Sequence, residues 1–195
     1  MITVIELGCA NTASVLFALD RLGAEAKLSS DQAEIKGAKK VILPGVGAAG
    51  FAMGRIHELG LYDIIRGLDV PLMGVCLGQQ LLFDRSTEGG VECLGLIPGE
   101  VTQMTASRDL VVPHMGWNQL EIQVEDPLNA GLKDGDFAYF VHSYVCPVND
   151  YTLTTATYGH PFAAMVRKGN VWGCQFHPER SSAAGAQILK NFVEL

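Results

Sequence analysis

The stretch at residues 71–83, PLMGVCLGQQLLF, decides how this chain folds and raises the question of what it does. It is apolar apart from two glutamines, and it is typical of a buried strand that continues directly into a helix. In its middle, Cys76 stands between Gly74 and Gly78, although a buried strand would favour Val or Ile there. Either the glycines relieve an ordinary tight turn, or they let a reactive sulfur occupy a strained position.

The pattern Gly-x-Cys-x-Gly matches a nucleophile elbow, in which a strand turns sharply into a helix and presents one side chain at the bend. Glycines are needed there because side chains would clash as the strand folds into the helix. This geometry places the Cys76 sulfur at a helix N-terminus, where unpaired N–H groups and the helix dipole favour an anion. Since the thiolate is the nucleophilic form of cysteine, the pattern is compatible with a catalytic cysteine. The alternative is a buried structural cysteine in a glycine-rich turn.

Strands and helices alternate around this stretch in the first half of the chain. Short apolar runs predict strands at residues 3–7, 40–43 and 72–75. Helical patterns are found at residues 11–22, in the Gly/Ala-rich segment up to residue 59, and at 61–68 and 77–83. This alternation predicts a parallel sheet with helices on both faces.

The second half of the chain changes to strands. They are predicted at residues 100–104, 119–124, 138–145, 153–158, 162–167 and 171–176, and a helix at 183–195 closes the chain. The last two strands flank a hairpin turn at residues 168–170. The sequence therefore predicts one domain, residues 1–195, of the α/β class. Its central, mostly parallel sheet is flanked by helices, with additional antiparallel strands in the C-terminal half.

Composition excludes several function classes. The formal charge of −7 provides no basic surface for nucleic acid and no polybasic patch for a membrane. Neither a signal peptide nor an apolar run long enough for a membrane span is found. Only 18% of the residues are charged, which indicates either that a partner protein covers part of the surface or that the core is rich in glycine and alanine.

The cysteines are odd in number and scattered, which indicates reduced thiols in a cytoplasmic protein. They are Cys9, Cys76, Cys93, Cys146 and Cys174. Because no two of them are spaced as Cys-x-x-Cys, we expect neither a disulfide framework nor a metal site. All except Cys76 are expected to be inert, small apolar side chains.

A thiolate nucleophile needs a base, and His177 is the candidate. It follows a strand-like run and precedes Pro178, which favours an extended backbone at the histidine. In extended chain, residues two apart point to the same side, so Glu179 would orient the imidazole as the third member of a triad. The alternative is a strand end followed by proline and a solvated glutamate.

A tetrahedral intermediate also needs an oxyanion hole. The N–H group of Leu77, the residue after the nucleophile, is the first predicted donor. Val46 is the second, because it lies in the loop Pro44-Gly45-Val46-Gly47 just beyond a predicted strand, at the sheet edge where α/β proteins bind ligands. A plain glycine-rich turn remains the alternative for this loop.

These motifs resemble the class I, triad-type glutamine amidotransferases. The resemblance begins with Gly74-Val75-Cys76-Leu77-Gly78-Gln79-Gln80 and the late His177-Pro178-Glu179. Three further motifs resemble, within that family, the glutaminase subunits of imidazole glycerol phosphate synthase. They are Pro44-Gly45-Val46-Gly47, Pro113-His114-Met115-Gly116-Trp117-Asn118 and Tyr139-Phe140-Val141-His142-Ser143-Tyr144. The resemblance also includes Gly8-Cys9-Ala10-Asn11 near the start of the chain. The sequence departs from the family pattern at Gln79, where the family usually carries Met.

The resemblance implies a division of labour among these residues. Cys76 would attack the side-chain amide of glutamine, His177 would carry the proton to the departing ammonia, and Glu179 would hold His177. The implied glutamine-binding residues are Gly47, Gln80, Glu88, Ser143 and Tyr144. No cofactor is implied.

A partner is implied as well. In the family, ammonia passes to a TIM-barrel cyclase subunit, which makes imidazole glycerol phosphate and an aminoimidazole carboxamide ribotide in histidine biosynthesis. Trp117, Asn118 and Arg180 are the candidates for the partner face, in a heterodimer. Two other functions stay open on the sequence alone: a γ-glutamyl peptidase with the same triad, and an interaction module in which Cys76 senses redox state.

Overall fold

The computed structural model describes residues 1–8, 11–108 and 110–195. The strands in chain order are β1 (Ile2–Ile5), β2 (Ala26–Ser29), β3 (Lys40–Gly45), β4 (Leu72–Cys76), β5 (Phe83–Ser86), β6 (Val91–Glu92), β7 (Ile97–Gln103), β8 (His114–Gln119), β9 (Glu121–Ile122), β10 (Phe137–His142), β11 (Tyr144–Val145), β12 (Thr152–Tyr158), β13 (His160–Lys168) and β14 (Val171–Cys174). The α-helices are α1 (Thr12–Arg21), α2 (Gln32–Lys36), α3 (Ala49–Glu58), α4 (Tyr62–Arg66), α5 (Leu77–Leu81) and α6 (Ser182–Glu194). Short 3-10 turns lie at Pro127–Asn129 and Pro178–Arg180.

Eight strands of the described chain form the main sheet, in the order β2-β1-β3-β4-β14-β13-β12-β9. The pairs from β2 through β14 are parallel, and those from β14 through β9 are antiparallel. The predicted fold class is therefore confirmed. The carboxyl ends of β3, β4 and β14 meet at one edge, so the segments that follow these strands are brought together.

Two smaller sheets lie outside the main sheet. β8 and β10 form an antiparallel ribbon, and β11, β7, β5 and β6 form a second sheet. Apolar side chains cover both faces of the main sheet, because alternate residues of its strands point to opposite sides. On β3, for example, Val41 and Leu43 pack in one core with α3 and α4, and Ile42 packs in the other with α1 and α6.

The strand-to-helix bend at Cys76 answers the question raised by its two glycines. Cys76 itself has φ of +56°, in the left-handed region that L-residues rarely adopt. A Cβ on Gly74 would lie 2.5 Å from the carbonyl oxygen of Gly78, and a Cβ on Gly78 would lie 1.8 Å from the carbonyl oxygen of Leu43. Both distances are far below van der Waals contact, so only glycine fits at either position.

Several predicted elements differ from the structure. The helix predicted at residues 77–83 ends at Leu81, since Phe83 begins β5 and pairs with β7. The single strand predicted at 119–124 is wrong, because β8 ends at Gln119 and β9 begins at Glu121. The strand predicted at 138–145 divides at Ser143 between two sheets.

Some short elements were not predicted at all. They are β2, α2, β5, β6 and β8. β2 is an edge strand whose residues are mostly half-buried, so its sequence lacks the apolar run that marks the central strands.

Cys9 and Ala10, in the N-terminal motif, lie outside the described residues. Along the ranges that are described, none of the helices has the length and apolar character needed to cross a membrane.

The close approach at Gly78 predicts a strong effect of substitution. Gly78→Ala should lower the free energy of unfolding by about 3 kcal/mol or more, because the added methyl group meets the backbone of β3. Gly54→Ala is the matched control, since Gly54 is exposed within α3 and a Cβ added there would meet no heavy atom within 4 Å. It should raise stability by about 0.5–1 kcal/mol. Equal urea-unfolding midpoints for the two variants would contradict the account of the elbow.

Candidate active site

A cavity of about 310 Å³ lies at the carboxyl edge of the parallel strands. Its walls contain every residue predicted for catalysis, the oxyanion hole and substrate binding, except Glu179, which lies behind His177. The lining residues are Val46, Gly47, Cys76, Leu77, Gln80, Glu88, Pro113, Val141, His142, Ser143, Tyr144 and His177. Segments far apart in the sequence thus converge on one site.

Cys76 is the last residue of β4 and the N-cap of α5. It is 6% exposed, and its Sγ lies 3.8 Å from the carbonyl oxygen of Val141 and 3.9 Å from Nε2 of Gln175. The strained backbone at Cys76 aims the sulfur into the cavity, at the end of α5 whose N–H groups point toward it.

His177 follows β14 and lies beside Cys76. Its Nδ1 is 2.9 Å from Oε1 of Glu179, whose side chain is only 4% exposed. The two residues meet as predicted, but the predicted reason is wrong. Glu179 is in the 3-10 turn Pro178–Arg180 and not in extended chain, so the turn brings its carboxylate back onto the imidazole. Ser181 fixes this turn by donating its hydroxyl to the carbonyl oxygen of His177, at 2.7 Å.

The pKa of His177 is strongly shifted. Burial lowers it, but hydrogen bonds and charge interactions with Cys76 and Glu179 outweigh burial and raise the pKa to about 10. The imidazole is therefore protonated at neutral pH and places a positive charge beside the cysteine sulfur. With Nδ1 committed to Glu179, Nε2 is the nitrogen left to face the sulfur.

The end of β3 contacts the start of α5. A Cβ on Gly45, the last residue of β3, would lie 2.9 Å from Cβ of Leu77, so the backbone just before Val46 closely approaches the residue that follows the cysteine. Val46 is exposed, and Gly47 has φ of +96°, a conformation that favours glycine. Val46 and Leu77 both line the cavity, as an oxyanion hole requires.

The opposite wall carries polar groups for a substrate. Glu88 accepts a hydrogen bond from the backbone N–H of Ala49 at 2.7 Å and still borders the cavity. Gln80 is buried and donates from Nε2 to the carbonyl oxygen of Tyr144 and to Oε1 of Gln175, each at 3.0 Å. Ser143 lies between β10 and β11, where the chain passes from one sheet to the other.

Three lining residues were not predicted: Pro113, Val141 and His142. His142 pairs in register with His114 across the β8–β10 ribbon, and their ring nitrogens are 2.9 Å apart. Burial lowers the pKa of each to about 4. Both histidines lie within quoted sequence motifs, but the pairing of the two motifs is not visible in the sequence.

Gln79, the departure from the resemblance, lies away from the cavity. Its side chain is buried against Gly173, and its Nε2 donates to the carbonyl oxygen of Ala163 at 3.0 Å. It therefore belongs to the packing between α5 and the antiparallel part of the sheet. In the described part of the chain, no group of three His, Cys, Asp or Glu side chains is arranged to hold a metal ion.

Next to the cavity, the outer side of the β8–β10 ribbon exposes aromatic and apolar side chains. We call this the ribbon face, and it consists of Met115, Trp117, Phe137, Tyr139 and Arg180. Trp117 and Phe137 are each 52% exposed and Met115 is 64% exposed. Trp117 packs edge-on against Tyr139, and the Arg180 guanidinium lies 5.2 Å from the centre of the same ring.

Asn118 is placed differently from Trp117. Because side chains alternate along a strand, Asn118 points to the inner side of β8. Its Nδ2 donates to the carbonyl oxygen of Thr157 at 2.9 Å and lies 3.4 Å from Nε2 of His114.

Comparison with known proteins identifies the class of protein that this fold and cavity define. The family model for glutamine amidotransferase class-I matches residues 3–195. Imidazole glycerol phosphate synthase subunit HisH from Xanthomonas euvesicatoria is 52% identical over 194 residues, covering 100% of this chain and 97% of the relative. The corresponding subunit from Vibrio parahaemolyticus is 46% identical over 200 residues, covering 100% and 98%. The chain belongs to the class-I glutamine amidotransferases and, among them, to the HisH family.

Solved structures support the fold. A crystal structure of a glutamine amidotransferase has a TM-score of 0.76 at 24% identity, covering 99% of this chain and 97% of that one. A structure of PurLQS from Thermotoga maritima has a TM-score of 0.72 at 20% identity, covering 99% and 97%.

The cysteines should differ sharply in reactivity. Cys76 faces an imidazolium in an open cavity, whereas burial raises the pKa of Cys93 to about 11, of Cys146 to about 12 and of Cys174 well above its ordinary value. Brief iodoacetamide treatment at pH 7 should therefore alkylate Cys76 roughly tenfold or more faster than these three. Peptide mapping by mass spectrometry measures the rates. In His177→Asn the Cys76 rate should fall, and uniform labelling of all four cysteines would contradict the assignment.

Proposed function

We propose that this chain hydrolyses the side-chain amide of glutamine through a thioester on Cys76 and delivers the ammonia to a cyclase partner. The observation that carries the proposal is that His177 lines the same cavity as Cys76 and has its Nδ1 2.9 Å from Oε1 of Glu179. Membership of the HisH family favours this activity over a γ-glutamyl peptidase or a redox sensor. A redox sensor would also leave the His177–Glu179 pair without a role.

In the first step, the Cys76 thiolate attacks the amide carbon of glutamine. The carbonyl electron pair moves to the oxygen, and N–H groups of Leu77 and Val46 stabilise the oxyanion. His177 then donates its Nε2 proton to the amide nitrogen, the C–N bond breaks, and ammonia leaves. The products of this step are a γ-glutamyl thioester on Cys76 and a neutral His177.

In the second step, water attacks the thioester carbon. Neutral His177 takes one proton from the water, and the same donors stabilise the second oxyanion. Collapse of this intermediate breaks the C–S bond and releases glutamate. Cys76 returns as thiolate and His177 as imidazolium, which Glu179 holds throughout.

The polar wall of the cavity is suited to free glutamine. Glu88 provides a negative charge for the substrate ammonium group, and the backbone at Ser143 and Tyr144 provides N–H groups for its carboxylate. Gly47 leaves room for the substrate beside Val46. Gln80 supports the wall through its bond to the Tyr144 carbonyl oxygen.

The ribbon face is the proposed docking surface for the cyclase, a TIM barrel in a heterodimer with this chain. Exposed aromatic residues and arginine are typical of the centre of protein interfaces. Trp117 and Arg180 are the proposed contacts, and Asn118 supports the same strand from its inner side. The partner would use ammonia to make imidazole glycerol phosphate and an aminoimidazole carboxamide ribotide. The face adjoins the cavity through Val141, so ammonia would be released near the partner.

Loss of the nucleophile should separate the two activities of the complex. Cys76→Ala should abolish glutamine-dependent product formation, while the complex with the cyclase keeps its activity with added ammonium salt. The reason is that the cyclase needs ammonia and not its source. The control is Cys93→Ala, which is outside the cavity lining and should keep glutamine-dependent turnover. Normal turnover by Cys76→Ala with glutamine would show that the nucleophile is wrong.

The glutaminase should also be gated by its partner, because ungated hydrolysis would release ammonia to water. We expect the isolated chain to turn over glutamine about 100- to 1000-fold more slowly than the complex with cyclase ligand bound, the usual effect of one misaligned oxyanion donor. The segment Pro44-Gly45-Val46-Gly47 is the proposed gate, since its two glycines lower the cost of rotating the peptide group that carries the Val46 N–H. Full-rate hydrolysis by the isolated chain would exclude the gate.

A further inference from the structure

Two buried histidines beside the cavity are not used by the proposed chemistry. His114 on β8 and His142 on β10 are only 3% and 6% exposed. Nδ1 of His114 lies 2.9 Å from Nε2 of His142, and Nδ1 of His142 lies 2.9 Å from the carbonyl oxygen of Tyr144. The hydrogen bonds of this pair thus extend to the main-chain carbonyl group of Tyr144, a proposed glutamine-binding residue.

The hydrogen bonds fix the proton positions on both rings. A carbonyl oxygen only accepts, so Nδ1 of His142 must carry the proton that it donates to Tyr144. In a neutral His142 ring Nε2 is then an acceptor, which requires His114 to donate from its Nδ1. The remaining nitrogen, Nε2 of His114, accepts from Nδ2 of Asn118 at 3.4 Å. Each histidine is neutral in this arrangement, in agreement with the lowered pKa values of both.

The packing prevents the rings from rotating. The ring of His114 stacks between those of Tyr158 and Phe140, with centroid distances of 4.0 and 5.1 Å. Phe162 packs against His142 at 5.0 Å. Because these are aromatic contacts, the hydrogen bond between the two histidines is in an apolar environment, where such a bond is strong and its loss is costly.

The Tyr144 carbonyl oxygen joins this pair to the nucleophile. It accepts a second hydrogen bond from Gln80, which also donates to Gln175, and Nε2 of Gln175 lies 3.9 Å from Sγ of Cys76. The orientation of one peptide group, at Tyr144, is therefore set by a histidine on one side and a glutamine on the other.

We propose that His114 and His142 are positioning residues for glutamine. As neutral rings with the Nδ1 protons in place, they hold the Tyr144 carbonyl oxygen away from the substrate, so that the backbone of Ser143 and Tyr144 keeps its orientation toward the glutamine carboxylate. His114 acts through His142. This inference rests on the proposed function, since it concerns the affinity of the cavity for glutamine.

The first test measures the dissociation constant of glutamine by calorimetry, with the full-length Cys76→Ala chain as parent so that no turnover occurs. Adding His142→Gln keeps an acceptor for His114 but removes the donor to Tyr144, and should raise the constant about tenfold. Adding His142→Asn places an amide N–H where Nδ1 was, and should restore affinity to within about threefold of the parent. His114→Phe keeps the stacking but not the donor, and should weaken binding about threefold.

A matched control separates positioning from general loss of stability. Asn191 on α6 is also buried, and its amide donates to the carbonyl oxygens of Leu128 and Ala130, away from the cavity. Asn191→Leu in the same parent should lower the melting temperature but leave the dissociation constant of glutamine unchanged. If His142→Gln lowers the melting temperature as much as Asn191→Leu and changes the constant less than twofold, the inference is overturned.

The second test does not depend on glutamine. Long-range ¹H–¹⁵N NMR spectra of the isolated chain at pH 7 report the protonation of each ring nitrogen. We expect the Nδ1–H tautomer at both His114 and His142, and a doubly protonated ring or an Nε2–H tautomer at either would overturn the inference. A parent chain that shows the expected tautomers but binds no glutamine would instead contradict the proposed function, and with it the positioning role.

Discussion

One close approach between backbones underlies the whole site: Gly78, in the first turn of α5, lies against the carbonyl group of Leu43 on β3. A single methyl group at Gly78 would stand 1.8 Å from that oxygen, so glycine is required. The approach forces the abrupt bend that leaves Cys76 with a positive φ. It also brings Leu77 against the loop that carries Val46. Catalytic geometry is thus a consequence of how tightly a helix packs on a strand.

The same cavity holds two histidines whose pKa values are shifted in opposite directions. Interactions with Cys76 and Glu179 outweigh burial and raise the pKa of His177 to about 10, whereas burial outweighs the hydrogen bond to the Tyr144 carbonyl oxygen and lowers the pKa of His142 to about 4. Opposite pKa shifts of this kind give the two histidines different roles: His177 can carry a proton, and His142 is a fixed hydrogen-bonding group. At neutral pH the imidazole of His177 carries a proton that it can donate, and the imidazole of His142 is neutral.

β8 links the surface of the chain to its interior. Its outward residues form part of the exposed ribbon face, and its inward residues, His114 and Asn118, belong to the hydrogen-bonded network at the cavity. Because side chains alternate along a strand, Trp117 on the outer side and His114 on the inner side share one backbone. The ribbon therefore connects its exposed face to the hydrogen-bonded network at the cavity through a single strand.

The sequence by itself determined the central strands β1, β3 and β4, their parallel class and the elbow at Cys76, because apolar periodicity and the need for glycine at a sharp bend are local properties. It predicted that His177 meets Glu179, but for a wrong reason. The expected reason was an extended backbone, whereas in the structure Glu179 lies in a 3-10 turn that Ser181 stabilises. The end of α5 and the pairing of β8 with β10 were decided only by the tertiary structure. Strand pairing depends on hydrogen bonds between segments that are distant in the chain, so the histidine pair that it creates leaves no signal in either segment alone.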